Sequence, residues 1–348
     1  MTSRERMLCA MRGERPDRVP VSPWGFGHLD RQGEVFREML RTCDPWIEAG
    51  GGGFSFTGTR LQAESSTDGA ITTTIYHTPA GDLTARRQVT SVTSATIEFL
   101  CKTPADVEAL LSVPYEALPT DFSAFHDTKA TYGDEGLVCL GCADAICWPA
   151  TVLSPEDFCL LWADAPDLMV EMTRVASERL NVFIEAACQA GVDVFRIIGG
   201  EYVTVQLGPA AVPRLLTPFD GRQVDIMHRY GALAHYHNHG PMMAFLDALA
   251  GLGIDSLDPC EAAPWGDCDL AEAARTLRGR CCIVGNLDDM EVLERCSEDE
   301  ACAVAAERIE QAGEVGFMLG GTSSGTYTER AARNFIAMVG VAEATARR

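Results

Sequence analysis

The chain has 348 residues, 47% of them hydrophobic and 22% charged, enough for one large barrel or two ordinary domains. Its net charge of −22 argues against nucleic acid and anionic membrane as partners, because phosphates are neutralised by Lys and Arg. No apolar run approaches the roughly 18 residues that a membrane span needs, and the opening Met1 to Arg6 has no apolar core of the signal-peptide kind. A soluble cytoplasmic protein is expected, with its fourteen cysteines reduced. Cys139 and Cys142, with Cys147 beyond, have redox or zinc spacing, but no second such pair follows, so they read as buried strand and loop residues.

In chain order, Thr2 or Ser3 caps a helix from Ser3 to Met11 that Gly13 ends. A turn at Arg15-Pro16-Asp17-Arg18 leads into a short apolar strand ending at Pro23-Trp24-Gly25. A helical stretch covers Gly33 to Leu40. Gly50 to Gly53 form a loop that lacks the Gly-Lys-Ser/Thr ending of a phosphate loop. Residues 70–100 are rich in Thr and Val and alternate about the turn Pro79-Ala80-Gly81-Asp82, which predicts a β-hairpin or small meander inserted into the main architecture.

From residue 104 onward single helices and strands alternate. The strands are predicted at 137–140, 192–198, 234–239, 254–257, 281–284 and 316–319, and the helices at about 104–111, from 154, 166–190, 211–230, 241–250, 270–277, 289–295, 298–312 and 329–344. Such repetition means a parallel α/β sheet, either open and doubly wound or closed as a (β/α)8 barrel. No Gly-x-Gly-x-x-Gly follows the first strand, which weakens the dinucleotide-binding alternative. Polar residues recur instead at strand C-terminal ends: Glu201, His237 and His239, Asp258, Asn286 and Asp288, Thr322 and Ser323. Several strand ends feeding one site is the barrel pattern. The predicted fold is a single (β/α)8 TIM barrel over residues 1–348, with an N-terminal helical segment and 70–100 as the excursion.

Three of the seven histidines fall at alternate positions in Ala234-His235-Tyr236-His237-Asn238-His239-Gly240. On a strand, all three would share one face and could serve one metal ion or one bound anion. Cys260 lies just past a strand end and is either a ligand or a plain loop residue. Asn286 and Asp288 could orient substrate, fix a histidine tautomer or cap the following helix. Tyr202, Tyr236 and Trp148 could pack on an aromatic substrate, with core packing as the alternative.

Four segments in order carry a family resemblance. They are Arg4-Glu5-Arg6 with Gly13 to Val21, His237-Asn238-His239-Gly240 with Gly253 to Leu257, Val284-Gly285-Asn286-Leu287-Asp288 with Val292-Leu293, and Gly316-Phe317-Met318-Leu319. Together they resemble the uroporphyrinogen decarboxylase superfamily. That resemblance implies a single barrel. The porphyrinogen-binding branch resembles an arginine-rich N-terminal segment, but here only Arg31 and Arg37 stand as candidate cations in that region.

The chain is more similar to the zinc- and corrinoid-dependent methyltransferases. Relatives that methylate thiols have His-x-Cys; here His239 replaces the cysteine. The O-demethylase group has a Glu–Glu–His pattern, whose outer spacing Glu201 and His237 keep while Leu216 takes the middle position. Asp220 or His239 could substitute there. The resemblance thus implies zinc on Glu201, His237, His239 or Cys260, catalysis by Glu201, His237 and Asn286, and substrate contacts from Tyr202, Tyr236, Trp148 and Asp288. It implies a small methylated, possibly methoxy-aromatic, donor and a cobalamin-type corrinoid on a partner protein. A carboxy-lyase acting on a smaller acid without metal is the alternative. A barrel that only binds is a third reading. The sequence leaves the oligomeric state open, a homodimer included.

Overall fold

The computed structural model describes residues 1–322 and 328–347, so the predicted contribution of Ser323 lies outside the described residues. In chain order the strands are β1 (Trp46–Ala49), β2 (Gln62–Asp68), β3 (Ile71–Thr78), β4 (Gly81–Val89), β5 (Ser94–Glu98), β6 (Leu137–Ala143), β7 (Val194–Ile198), β8 (Leu233–His237), β9 (Ser256–Asp258), β10 (Cys282–Asn286) and β11 (Phe317–Gly320). One sheet runs β1-β6-β7-β8-β9-β10-β11 with every pairing parallel, and curls as in a TIM-like barrel. Its strands are buried on both faces, which is why they read as near-continuous apolar runs.

The predicted strand before Trp24 is instead an irregular segment. It bonds to both outer strands of the sheet: Ser22 N donates to Leu319 O at 2.7 Å, and Gly25 N to Trp46 O at 2.8 Å. Proline at positions 20 and 23 removes two backbone donors, so no regular ladder forms. Strand β1 is missing from the sequence reading. It has four residues, too few to show a period.

The excursion is the meander of the two alternatives, four antiparallel strands in sequential order, and it begins earlier than predicted, at residue 62. Strand β2 is exposed along its length, so it carries no apolar alternation to read. The glycine loop admits a close approach: a Cβ on Gly53 would stand 2.3 Å from Pro119 O. The helices are Ser3–Met11, capped by Thr2, then Pro104–Leu111, Pro155–Asp164, Pro166–Gln189, Leu270–Leu277, Glu298–Ala312 and Glu329–Ala346, close to their predicted spans. The helix predicted at 211–230 breaks at Leu216 into Val212–Leu215 and Thr217–Arg229. No described helix is long and apolar enough to cross a membrane.

The N-terminal segment is held by one buried carboxylate. Asp44 Oδ1 accepts from Arg6 Nη1 at 2.6 Å, and Oδ2 from Arg18 Nη1 at 2.6 Å and Val21 N at 2.9 Å. Its own N–H donates to Val21 O. Replacing Asp44 by Ala leaves two buried guanidiniums facing each other, and should cost about 3–5 kcal/mol, read as a fall in urea midpoint at constant m.

A second tie joins helix Thr217–Arg229 to the start of β8. Asp255 Oδ2 lies 2.9 Å from His228 Nε2 and accepts Ala234 N at 2.7 Å. The hydrogen bond to Asp255 raises the His228 pKa above its ordinary 6.5. A raised histidine pKa gives stability that is complete below that ordinary value and is lost as pH climbs through the folded value. The melting-temperature gap between the native chain and His228→Ala should therefore be widest near about pH 6 and close by about pH 9. The pair is part-exposed, so the full contribution is within about 1 kcal/mol.

Candidate functional site

Alternation along each strand sorts side chains into the lumen of the curled sheet or the layer beneath the helices. The floor of the lumen is apolar. Met7, Ala10 and Met11 of the first helix pack there against Trp46, Leu137, Cys139, Val194, Cys282, Val284 and Met318. Above that layer, inward positions turn polar: Glu48 on β1, Arg196 on β7, His235 on β8 and Ser256 on β9. One pleat higher stand His237, Asp258 and Asn286, at the C-terminal ends of three neighbouring strands.

His235 is wholly buried. Its ring stacks 4.3 Å from Trp46 and 5.8 Å from Trp24, and Nδ1 lies 2.8 Å from Ser256 Oγ. Burial lowers its pKa, which disfavours the imidazolium. His237 Nδ1 lies 2.9 Å from Asp258 Oδ1, which leaves Nε2 as the atom open to chemistry. Although burial works in the other direction, the imidazoles of His237 and then His235 hold Asp258 well below the usual carboxylate range. His239 lies beyond the end of β8, so the three imidazoles do not share one strand face; the chain turns at Asn238 before reaching it. The ring still meets that of His237 edge-on at 4.4 Å. His239 Nδ1 is 3.1 Å from Glu261 Oε1, and Glu261 Oε2 accepts Gly240 N at 2.8 Å. The hydrogen bond to Glu261 raises the His239 pKa, which favours the imidazolium. Two imidazole–carboxylate pairs therefore stand together at the mouth of the sheet.

The outward face of β8 is also polar. Tyr236 is wholly buried, and its hydroxyl donates to Asp220 Oδ2 at 2.6 Å. Asp220 thus serves the outer layer and does not join His237. Leu216, at the position where relatives have the middle carboxylate, is buried in the core. Burial pushes Asp220 up to about 7, and burial and then Asp220 push Asp144 up further. Gly199 and Gly200 make this packing feasible: a Cβ on Gly199 would meet Asp144 Oδ1 at 2.2 Å, and one on Gly200 the Tyr236 hydroxyl at 2.5 Å.

The remaining sequence candidates scatter. Glu201 opens the short helix Glu201–Thr204, with Oε2 buried and without a hydrogen-bond partner. Asn286 reaches inward and donates to Cys260 O at 2.7 Å. Asp288 caps residues 289–293 by accepting from Met290 N and Glu291 N. Cys260 is fully buried, with its thiol against Leu257 O. Trp148 is buried beside Phe56 and Arg179, and Tyr202 packs edge-on to Phe158, so neither joins the histidines. Arg31 covers the rings of Phe26 and Phe36, and Arg37 donates to Gln32 O. The sequence reading passed over Glu48, Arg196, Trp24 and Glu261. Pairing on the lumen side, two residues apart on β7 and β8, was the signal available for Arg196.

The donor set was tested for a zinc site. Among the described residues, no three His, Cys, Asp or Glu side chains converge to hold a metal ion. His237 and His239 hold Nδ1 on carboxylates and keep Nε2 available, as metal-binding histidines do, but Cys260 is enclosed and no third ligand joins them among the described residues. The ligand set implied by the resemblance does not fit the geometry present.

A curled parallel sheet whose strand ends converge on paired imidazoles and carboxylates defines an enzyme-type α/β scaffold. The chain belongs to the uroporphyrinogen decarboxylase (URO-D) family, whose model matches residues 2–344. Among solved structures it is similar to a methyltransferase from Methanosarcina mazei, at 14% identity over 99% of each chain with a TM-score of 0.65. It is also similar to a B12-independent methionine synthase from Shewanella sp. W3-18-1, at 10% identity over 73% of this chain and 71% of the other, TM-score 0.50. At these identities the likeness is one of fold. No protein of curated function matches the sequence.

Gly200→Ala forces the new methyl into the Tyr236 hydroxyl and Asn238 Oδ1, 2.5 and 2.7 Å from it. A loss of about 1–3 kcal/mol in thermal or urea unfolding is expected, where the same change at the unobstructed Gly340 should cost nothing or stabilise its helix.

Proposed function

We propose that this chain is a methyltransferase that moves a methyl group from a small methylated substrate, methoxy-aromatics included, to a cobalt corrinoid carried by a separate protein. The observation that carries the proposal is the pair of imidazoles at the mouth, His237 on Asp258 and His239 on Glu261. The reading takes the sheet as a complete (β/α)8 barrel, with Pro20 to Gly25 as the eighth stave between β11 and β1. It is supported by family membership and by the fold shared with a methyltransferase over nearly the whole chain.

The chemistry follows from what leaves. An alkoxide or phenoxide departs poorly unless its oxygen gains a proton as the methyl carbon is taken. The corrinoid supplies the nucleophile for that carbon. The chain must hold the substrate, keep water out and give the proton. The proton comes from the imidazolium favoured at His239, and the adjacent His237, whose Nδ1–H is held by Asp258, presents Nε2 as an acceptor that orients the substrate. Asp258 is a positioning residue: it sets the tautomer and orientation of His237. Among the described residues no arginine cluster stands at the mouth, which makes a porphyrinogen a poor match, since Arg31 and Arg37 are occupied elsewhere.

The test is a methyl-transfer assay with methoxy-aromatic donors and reduced corrinoid, followed by the loss of the cob(I)alamin absorbance. His237→Ala should lower the rate about 100-fold or more, and Asp258→Asn about 10- to 100-fold. Release of carbon dioxide from carboxylic acids with no methyl transfer would overturn the proposal in favour of a carboxy-lyase.

A further inference from the structure

Arg196 is the only lysine or arginine on the seven strands of the sheet, and it points into the lumen. Its guanidinium lies 4.1 Å over the Trp24 ring, which fixes the plane of the group from one side. One contact is spent: Nη1 donates to Glu48 Oε2 at 3.1 Å. Nε is buried and has no acceptor. Glu48 is itself unevenly held. Its side chain is 39% exposed while that of Arg196 is 11% exposed. Glu48 reaches across Gly141, where a Cβ would stand 2.3 Å from its Oε1.

The lumen is open to this depth. Trp24, Gly141, Ala143, Arg196 and Ile198 are all partly exposed, although the apolar floor beneath them is sealed by the first helix. The other lumen carboxylates are engaged: Asp258 lies against His237, and Glu261 holds His239 and the Gly240 N–H. An arginine stacked on an indole, with an unused donor and one part-exposed carboxylate as its partner, is built to exchange that partner for a ligand carboxylate.

We infer that Arg196 is a specificity-determining residue that anchors a carboxylate of the substrate at the bottom of the lumen, with Glu48 as the group it displaces. The register sets the size of the ligand. Arg196 pairs with His235, two residues below His237, so the anchor lies about 6–7 Å along the strand direction from the imidazole that meets the reacting end. A flat acid with its methylated oxygen at the far end spans that gap. This assignment rests on the proposed reaction for the identity of the far end alone.

Calorimetric titration with 4-methoxybenzoate, benzoate and methoxybenzene tests it. The native chain should bind 4-methoxybenzoate about 10- to 100-fold more tightly than methoxybenzene. Arg196→Gln should abolish that preference while leaving methoxybenzene binding unchanged, which also shows that the lumen is still formed. Glu48→Gln should widen the preference by removing the competing carboxylate. Equal affinities in the native chain, or a preference intact in Arg196→Gln, would overturn the inference. Arg196-dependent binding of benzoate and 4-methoxybenzoate, with no methyl transfer from 4-methoxybenzoate to the corrinoid, would uphold this subsite and sink the proposed reaction. Methyl transfer from 4-methoxybenzoate at an equal rate and with equal affinity in Arg196→Gln would do the reverse.

Discussion

The structure depends on Asp44. A carboxylate with no exposure to water survives only where donors meet it on every side. Here two guanidiniums and one backbone N–H do so. Arg6 comes from the first helix, Arg18 and Val21 from the segment after it, and Asp44 itself stands two residues before β1. One side chain thus fastens the helix that seals the lumen floor to the segment that bridges β11 and β1. Two cations on one anion would leave an excess of charge, and Asp17 supplies the balance by accepting from Arg6 Nε at 2.6 Å. That bond holds Asp17 well below the usual carboxylate range. The N-terminal motif that carries the family resemblance therefore works as a clamp.

The same strands serve two purposes because their faces alternate. On β7 and β8 the lumen face presents Arg196, His235 and His237, while the outer face buries Phe195, Ala234 and Tyr236 under the helices. The Tyr236–Asp220 bond and the two glycines that admit it lock the outer layer directly behind the histidines. Networks of this kind are costly when incomplete, and Asp144 Oδ2, Asp220 Oδ1 and both polar atoms of Gln223 lack partners. The raised carboxyl pKa values of Asp144 and Asp220 are the physical response: protonation is cheaper than an unpaired buried charge.

Much of this was legible in the sequence because parallel strands and their capped helices write strong local signals. Thr103 and Ser297 with acids three residues on, and Leu270 to Leu277 behind Asp269, announce their helices in a way that tertiary contacts cannot overturn. The histidine stretch was legible as a strand that brings imidazoles to the end of the sheet. What local pattern could not give was direction beyond a strand end. His239 leaves the ladder at Asn238, Cys260 folds into the core, and Asp288 turns back to cap its own helix. Each looked like a strand-end functional group, and the difference lies in turns whose geometry no periodicity encodes. Arg196 and Glu48 were missed for the opposite reason. A charge inside an apolar run reads as an interruption, and its meaning appears only when the register lays Arg196 beside His235 and Glu48 reaches it across Gly141.

The net charge of −22 gives those two residues their weight. A strongly acidic molecule repels anions at long range, although screening confines that effect to about 8–10 Å at ordinary salt. Selection of an anionic ligand must therefore come from inside the lumen, where nearby water is limited and a single guanidinium acts at contact distance. Glu48 makes this selective. While it occupies Arg196, a neutral ligand gains nothing from the arginine; only a ligand carrying its own carboxylate can replace what is lost. The exchange also releases Glu48 toward solvent, where it is already half-exposed, so the displaced charge is not left stranded. A buried cation paired with a part-exposed anion would thus discriminate by charge at the bottom of the lumen, and leave the histidine pairs at the mouth to discriminate by chemistry.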